Sequence, residues 1–242
     1  GVTENFAFLD AALAYDPDAV LLTLSRNDTD FSELAKTHNQ RVAAIGAQRL
    51  GSGNQLFDAI LGLSDAQAPG AFDAISGEIY GSIRSGFIAD SSFLRDAASE
   101  RVRSAFGIGV PASAPEFWSM GFGSWQNFSS DGNAAQYTHD TRGLLLGGDA
   151  EVAGWNLGLM AGYSRSSLRS ADRASAGSSD NYHLGIYGGR QWEALTFSGG
   201  FAYTRHEVDV RRSVAFAGFS DALSAGYDAG TAQGFGELGY RV

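Results

Sequence analysis

The sequence predicts a mainly β chain with an α-helical N-terminal segment, on three observations. Glycine and aromatic residues crowd into the second half: residues 1–112 carry 11 Gly and 10 aromatics, residues 113–242 carry 21 and 19. That second half alternates with period two over stretches of about 10–14 residues, against about 5–6 in an ordinary strand. Residues 31–106 keep a 3.6-residue rhythm instead, interrupted by Gly and Ser.

Composition narrows the class further. The 242 residues are 44% hydrophobic and 18% charged, with a formal net charge of −10, no Cys, and 16 Arg against one Lys. An acidic chain without a basic cluster is a poor partner for nucleic acid, whose phosphates need grouped cations. Without cysteine there are no disulfides, thiolate zinc sites or Cys nucleophiles. No apolar run approaches the ~18 residues of a membrane helix. A membrane β-barrel stays open, because its strands show lipid only every second residue. Gly1 is not an initiator and no leader precedes the fold, so the chain reads as an internal piece of something longer.

The opening block, Glu4 to Ser25, alternates weakly around the turn residues Tyr15-Asp16-Pro17-Asp18 and reads as a hairpin or as the last rungs of a β-solenoid. Asp28-Thr29-Asp30 is an N-cap cluster, after which a helical rhythm runs to Gly51-Ser52-Gly53. Further helices are expected at Gln55 to Leu63, Gly70 to Phe87 and Ser92 to Phe106. The last is the clearest, with Leu94, Ala98, Val102 and Phe106 on one stripe and Gly107 and Gly109 to stop it. At 15 residues it is ~22 Å long, close to the height of a membrane barrel's apolar band.

Strands follow. Leu157 and Leu159, Leu184 and Ile186, and Leu195, Phe197 and Phe201 stay in phase along three successive segments, opposite Gly, Ser and Thr. Thr141 to Val152 sets Leu144, Leu146 and Ala150 against Gly147, Asp149 and Glu151. Ala153-Gly154 and Glu193-Ala194 read as tight turns, while 169–178 and 209–225 read as long irregular loops. Tight turns at one end, long loops at the other and aromatics near strand ends (Trp155, Tyr163, Tyr182, Trp192, Tyr203) form the pattern of an antiparallel up-and-down outer-membrane barrel. An Arg at Leu159 or Phe197 is expected to be costly, and one at Gly158 or Ser198, on the opposite phase, far less so.

Several stretches together resemble the translocator barrel of type Va autotransporters, the type V secretion proteins of Gram-negative bacteria. They are Phe117-Trp118 to Gly123-Ser124-Trp125, Thr141-Arg142-Gly143 to Gly147-Gly148-Asp149, Asp180-Asn181-Tyr182 to Gly188-Gly189, and Phe235-Gly236-Glu237 to Tyr240. Upstream, Asn39-Gln40 and Ile75-Ser76-Gly77-Glu78-Ile79 resemble the junction between passenger and barrel. The resemblance implies three regions: residues 1–30 as the end of a passenger, 31–112 as a helical junction and pore helix, and 113–242 as a partial barrel, about six of an expected twelve strands. It also implies hairpin-wise export of the passenger, with outer-membrane lipid, the passenger, barrel-assembly machinery and periplasmic chaperones as partners.

Site expectations divide accordingly. Arg95, Arg101 and Arg103 form either a solvated helix face or a cationic stripe inside the pore, and the resemblance favours the second. At least one of them is then expected to meet Asp149, Glu151 or Glu237, three carboxylates on the non-lipid phase that are costly to desolvate alone. Gly77 and Glu78 are either the junction signature or a plain helix interruption with a solvent-facing Glu. Asp131-Gly132-Asn133 reads as a simple turn. No residue is assigned to catalysis, a cofactor or a metal: His38, His139, His183 and His206 share no ligand spacing, and His139 reads as a loop residue. The competing readings are a surface adhesin whose barrel is only an anchor, an outer-membrane barrel hydrolase using His206 and Asp209, and a soluble β-sandwich.

Overall fold

The computed structural model describes residues 4–106 and 115–240. The glycines expected to stop the last helix, Gly107 and Gly109, lie outside the described residues. Strands β1 (Leu9–Asp16) and β2 (Ala19–Arg26) form an antiparallel hairpin, pairing Asp16 with Ala19 across the Pro17-Asp18 turn. Five helices follow: α1 (His38–Gln48), α2 (Gln55–Leu61), α3 (Ala68–Ile75), α4 (Glu78–Asp90) and α5 (Ser92–Ala105). Six strands complete the chain: β3 (Glu116–Phe128), β4 (Tyr137–Val152), β5 (Trp155–Ser170), β6 (Ser175–Trp192), β7 (Leu195–Phe216) and β8 (Phe219–Tyr240). They pair antiparallel in sequence order as one meander.

The helices start where side chains can satisfy their free N–H groups. Thr37 Oγ1 accepts from Gln40 N at 3.2 Å, and Asn54 Oδ1 from Leu56 N at 3.0 Å. Asp30, expected to cap the first long helix, heads only a four-residue 3₁₀ turn, Phe31–Leu34. The single helix expected over 70–87 is two helices, because Ser76 turns extended before Gly77 and Glu78 restart the spiral.

Three apolar clusters hold the parts together. Phe8, Phe31, Phe57, Ile60, Leu63 and Phe72 bind the hairpin's base to α1, α2 and α3, with Phe216 from the end of β7 against them. Ile79, Ile83 and Phe87 of α4 meet Leu168, Val208 and Val210. Leu94, Ala98 and Val102 of α5 pack on Leu145, Met160, Tyr187 and Ala202, one residue from each of four strands. Complete burial of Leu94 and Val102 contributes roughly 1.5–3 kcal/mol each.

β4 to β8, at 16 to 22 residues, outrun the expected stretches of about 10–14, while β3 at 13 does not, and here the sequence reading needs correction. The two long irregular loops do not exist as such. Residues 171–174 alone separate β5 from β6, and Ala217-Gly218 alone separate β7 from β8. His139, expected in a loop, is a buried β4 residue. The tight turns are as expected: Ala153 and Gly154 both have positive φ, 52° and 77°, as a two-residue hairpin requires.

Side chains alternate cleanly between a face covered by α4 and α5 and an open outer face. Leu157, Leu159, Leu184, Ile186, Phe197 and Phe201 are all exposed on the outer face. Their character changes along the strands. Between the pair Trp155 and Trp192 and the row Tyr163, Tyr182 and Tyr203 the outer residues are apolar except Arg190, which sits beside Trp192. Beyond the tyrosines they are polar, with charged pairs across strands, Arg165 to Asp180 at 3.0 Å and Arg205 to Asp228 at 3.1 Å.

Candidate functional site

The helix-covered face is polar where it is deepest, and hydrogen bonds there join the helices to the strands. At the C-terminal end of α5, Arg101 donates from Nε to Asp149 Oδ2 at 3.0 Å and from Nη2 to Oδ1 at 3.1 Å. The same Nη2 lies 2.9 Å from Glu116 on β3. Asp149 also accepts from Tyr187 Oη at 2.8 Å and from Asn156 Nδ2 at 3.3 Å, and Tyr187 accepts in turn from Trp118 Nε1 at 2.7 Å. Four donors on one buried carboxylate offset what its desolvation costs.

The three arginines of α5 therefore have three different fates. Arg101 is sequestered. Arg103 reaches Glu237 on β8 at 3.2 Å, an exposed pair worth little by itself. Arg95 turns to its neighbour Asp96 at 3.3 Å, on a part of the helix that is open to solvent. Glu151 is exposed and has no ion pair among the described residues. Residues 95, 101 and 103 do not fall on one stripe at 100° per residue, so a common cationic face was geometrically out of reach.

Midway along the helices a second polar cluster appears that sequence reading missed. Asp90, the last residue of α4, accepts from Thr141 Oγ1 at 2.6 Å and Ser166 Oγ at 3.0 Å, with His139 Nε2 at 3.1 Å. Asn181 links Ser164 and Ser166 to His206, and His183 bridges Ser164 and Thr204. Phe87 stacks on the His206 ring at 3.7 Å. Alternation did place these residues on one face, but nothing in it shows that Asp90 would arrive from a helix. His206 and Asp209 point to opposite faces of β7, buried and exposed respectively, so they cannot share a hydrolytic centre.

The third assembly is at the break between α3 and α4. Glu78 is only 7% exposed at its side chain, not solvent-facing as one sequence reading had it. It accepts from Ala135 N at 2.9 Å and Asn39 Nδ2 at 3.2 Å, and its Oε1 lies 2.9 Å from Arg173 Nε, an ion pair whose N–H is not aligned as a hydrogen bond. Arg173 also holds Asp73 at 3.0 Å, and Arg212 donates to the carbonyls of Ala74 and Ser76. Gly77 is exposed at the joint itself. The turn at Asp131 is more than a turn: Asn133 Oδ1 accepts from Asn39 N at 2.8 Å and so caps α1 from another element.

Residues 117–242, more than half the chain, match the family described as Autotransporter beta-domain. The chain belongs to the autotransporter β-domain family. Two curated relatives, each named Extracellular serine protease and from Serratia marcescens, are 32% and 30% identical over 98% of this chain. The chain spans 27% of the length of each. No solved structure matches it. An autotransporter β-domain is the translocator and anchor in type V secretion; its place is the Gram-negative outer membrane, with the passenger exported to the cell surface. Among the described residues of this β-domain there is no cluster of His, Asp and Glu able to hold a metal.

Proposed function

We propose that residues 113–242 supply part of a closed up-and-down barrel, that residues 31–112 form the junction and a helix threaded through its pore, and that residues 1–30 are the last strands of the passenger. The observation that carries this reading is the Arg101–Asp149 pair. A carboxylate 2% exposed on a strand, held bidentately by a helix arginine, fixes α5 against the face that becomes the lumen when the sheet closes. Closure itself follows from the solvent: an open sheet edge is not tolerated in lipid.

The outer face supports the same placement. Trp155 and Tyr163 are eight residues apart, ~26 Å along a strand at ~3.3 Å per residue and ~20 Å in height at a tilt of ~40°, most of an apolar band ~25 Å tall between aromatic girdles. The charged hairpins beyond the tyrosines stand in water on the passenger's side, where α1, α2 and α3 also sit. Export then proceeds with the passenger passing outward as a hairpin and folding outside, and the clamped joint at Ser76–Glu78 marks where the exported part ends. The partners of this step are outer-membrane lipid, the passenger, barrel-assembly machinery and periplasmic chaperones. No catalysis is assigned to this region; the protease activity in the relatives' names belongs to the part of those proteins outside the match.

The decisive experiment removes residues 92–105 from the full-length protein and measures ion conductance in planar bilayers. A helix in the pore gives a leaky channel on removal. Unchanged conductance refutes the reading.

A further inference from the structure

The outer face carries a depression within its apolar stretch. Ala150, Leu157, Gly188 and Gly199 are paired in register across β4 to β7, so three of four neighbouring strands present a small residue in one row. The row above it is bulky, with Leu159, Ile186 and Phe201. The result is an apolar groove of 740 Å³ running across the strands, a volume in the range of small-molecule sites.

The row below the groove, toward the tight turns, contains a cation. Arg190 follows Gly188 on the same face of β6, and its guanidinium lies 5.3 Å from the Trp192 ring and 6.0 Å from the Trp155 ring. Of the outward arginines beyond the tyrosines, Arg165 and Arg205 each pair with an aspartate, and Arg142, Arg169 and Arg211 stand in the charged stretch of the strands; Arg190 alone among the described arginines lies outward within the apolar stretch. Arg190 has no carboxylate partner among the described residues. A lone cation set among tryptophans at headgroup level, one residue pair from an apolar groove, is charge-complementary to a phosphodiester with a hydrocarbon tail. Resting on the membrane placement above, we propose that this face holds one phospholipid of the leaflet on the tight-turn side, its anionic headgroup on Arg190 and an acyl chain in the groove over Gly188 and Gly199.

The test places the full-length protein in nanodiscs of mixed phosphatidylglycerol and phosphatidylcholine and counts co-released lipid by native mass spectrometry. Wild type is expected to retain phosphatidylglycerol with about fivefold preference, the effect of one cation near an anionic surface. Arg190→Gln abolishes the preference and Arg190→Lys restores part of it. Ala150→Phe fills the groove, leaves Arg190 in place, and lowers retention of both lipids. Equal retention by wild type and Arg190→Gln, with both proteins in the nanodiscs, overturns the lipid site while the barrel reading stands. A protein that stays out of the nanodiscs overturns both.

Discussion

Arg101 closes two nitrogens on one carboxylate, Nε at 3.0 Å from Asp149 Oδ2 and Nη2 at 3.1 Å from Oδ1, and lays the same Nη2 2.9 Å from Glu116. A helix and two neighbouring strands thus meet at a single guanidinium. Arg101→Met leaves Asp149 buried with only Tyr187 and Asn156, and should destabilise by about 2–4 kcal/mol in denaturant unfolding. Adding Asp149→Asn should return a good part of that, since the stranded charge goes too. A double variant as unstable as the sum of the singles would show that the pair does not couple.

Leu159 and Ser178 both face outward, on opposite sides of the tyrosine row. Leu159→Arg should cost about 2–4 kcal/mol if it meets hydrocarbon near the midplane. Ser178→Arg sits opposite Asp209 in the ladder and should change stability by no more than about 0.5 kcal/mol. Refolding into lipid vesicles with urea titration separates the two, and equal effects would count against the placement of the apolar band.

Gly158 is a poorer control than its phase suggests. A Cβ there would sit 2.3 Å from the Tyr187 ring, which occupies the space a side chain needs. Gly158→Ala should therefore unseat Tyr187 from Asp149 and lower stability by about 1–3 kcal/mol, seen as a changed tyrosine signal in near-UV circular dichroism.

Glu78 gathers Asn39, Ala135 and Arg173 at the joint between α3 and α4. Glu78→Gln keeps the shape and removes the charge, leaving Arg173 with Asp73 alone. The expected loss is about 1–3 kcal/mol of local stability, read as faster amide exchange over residues 130–136 and the start of α4. Exchange unchanged there would mean the joint is held by packing alone.

In the loop before β4, the backbone N–H groups of Ala134 and then Asn133 hold the Asp131 carboxyl below the usual carboxylate range. Its contribution to loop order is present above the unfolded value near 4 and is lost as pH falls through the lower folded one. Exchange at Ala134 N should accelerate in acid for wild type, and be fast at every pH in Asp131→Ala. A wild-type rate that tracks intrinsic exchange across the whole range would contradict this.

Alternation made the strands between Trp155 and Tyr163 legible because one face is apolar there and the other small or polar. Past Tyr163 the ladder continues, but Arg165, Asp180, Arg205 and Asp209 face outward and the contrast that marks a strand disappears. That is why 209–225 read as a loop although backbone pairing runs to Phe216. The stripe of Leu94, Ala98 and Val102 was readable because burial imposes a period. The grip of Asp90 on His139, Thr141 and Ser166 was not: it spans 49 to 76 residues, and local pattern carries no long-range pairing. The same holds for Arg173, in the turn between β5 and β6, and Arg212, near the end of β7, whose partners are acids and carbonyls of distant helices.

The deeply placed polar ties of α4 and α5 come from the early strands. Asp90 is held by β4 and β5, and Arg101 by β3 and β4, whereas β8 offers only the exposed Arg103–Glu237 pair and a bond from Gln233 to the Ser91 carbonyl. On the pore placement proposed above, the first three staves alone carry both deep polar grips on the cork.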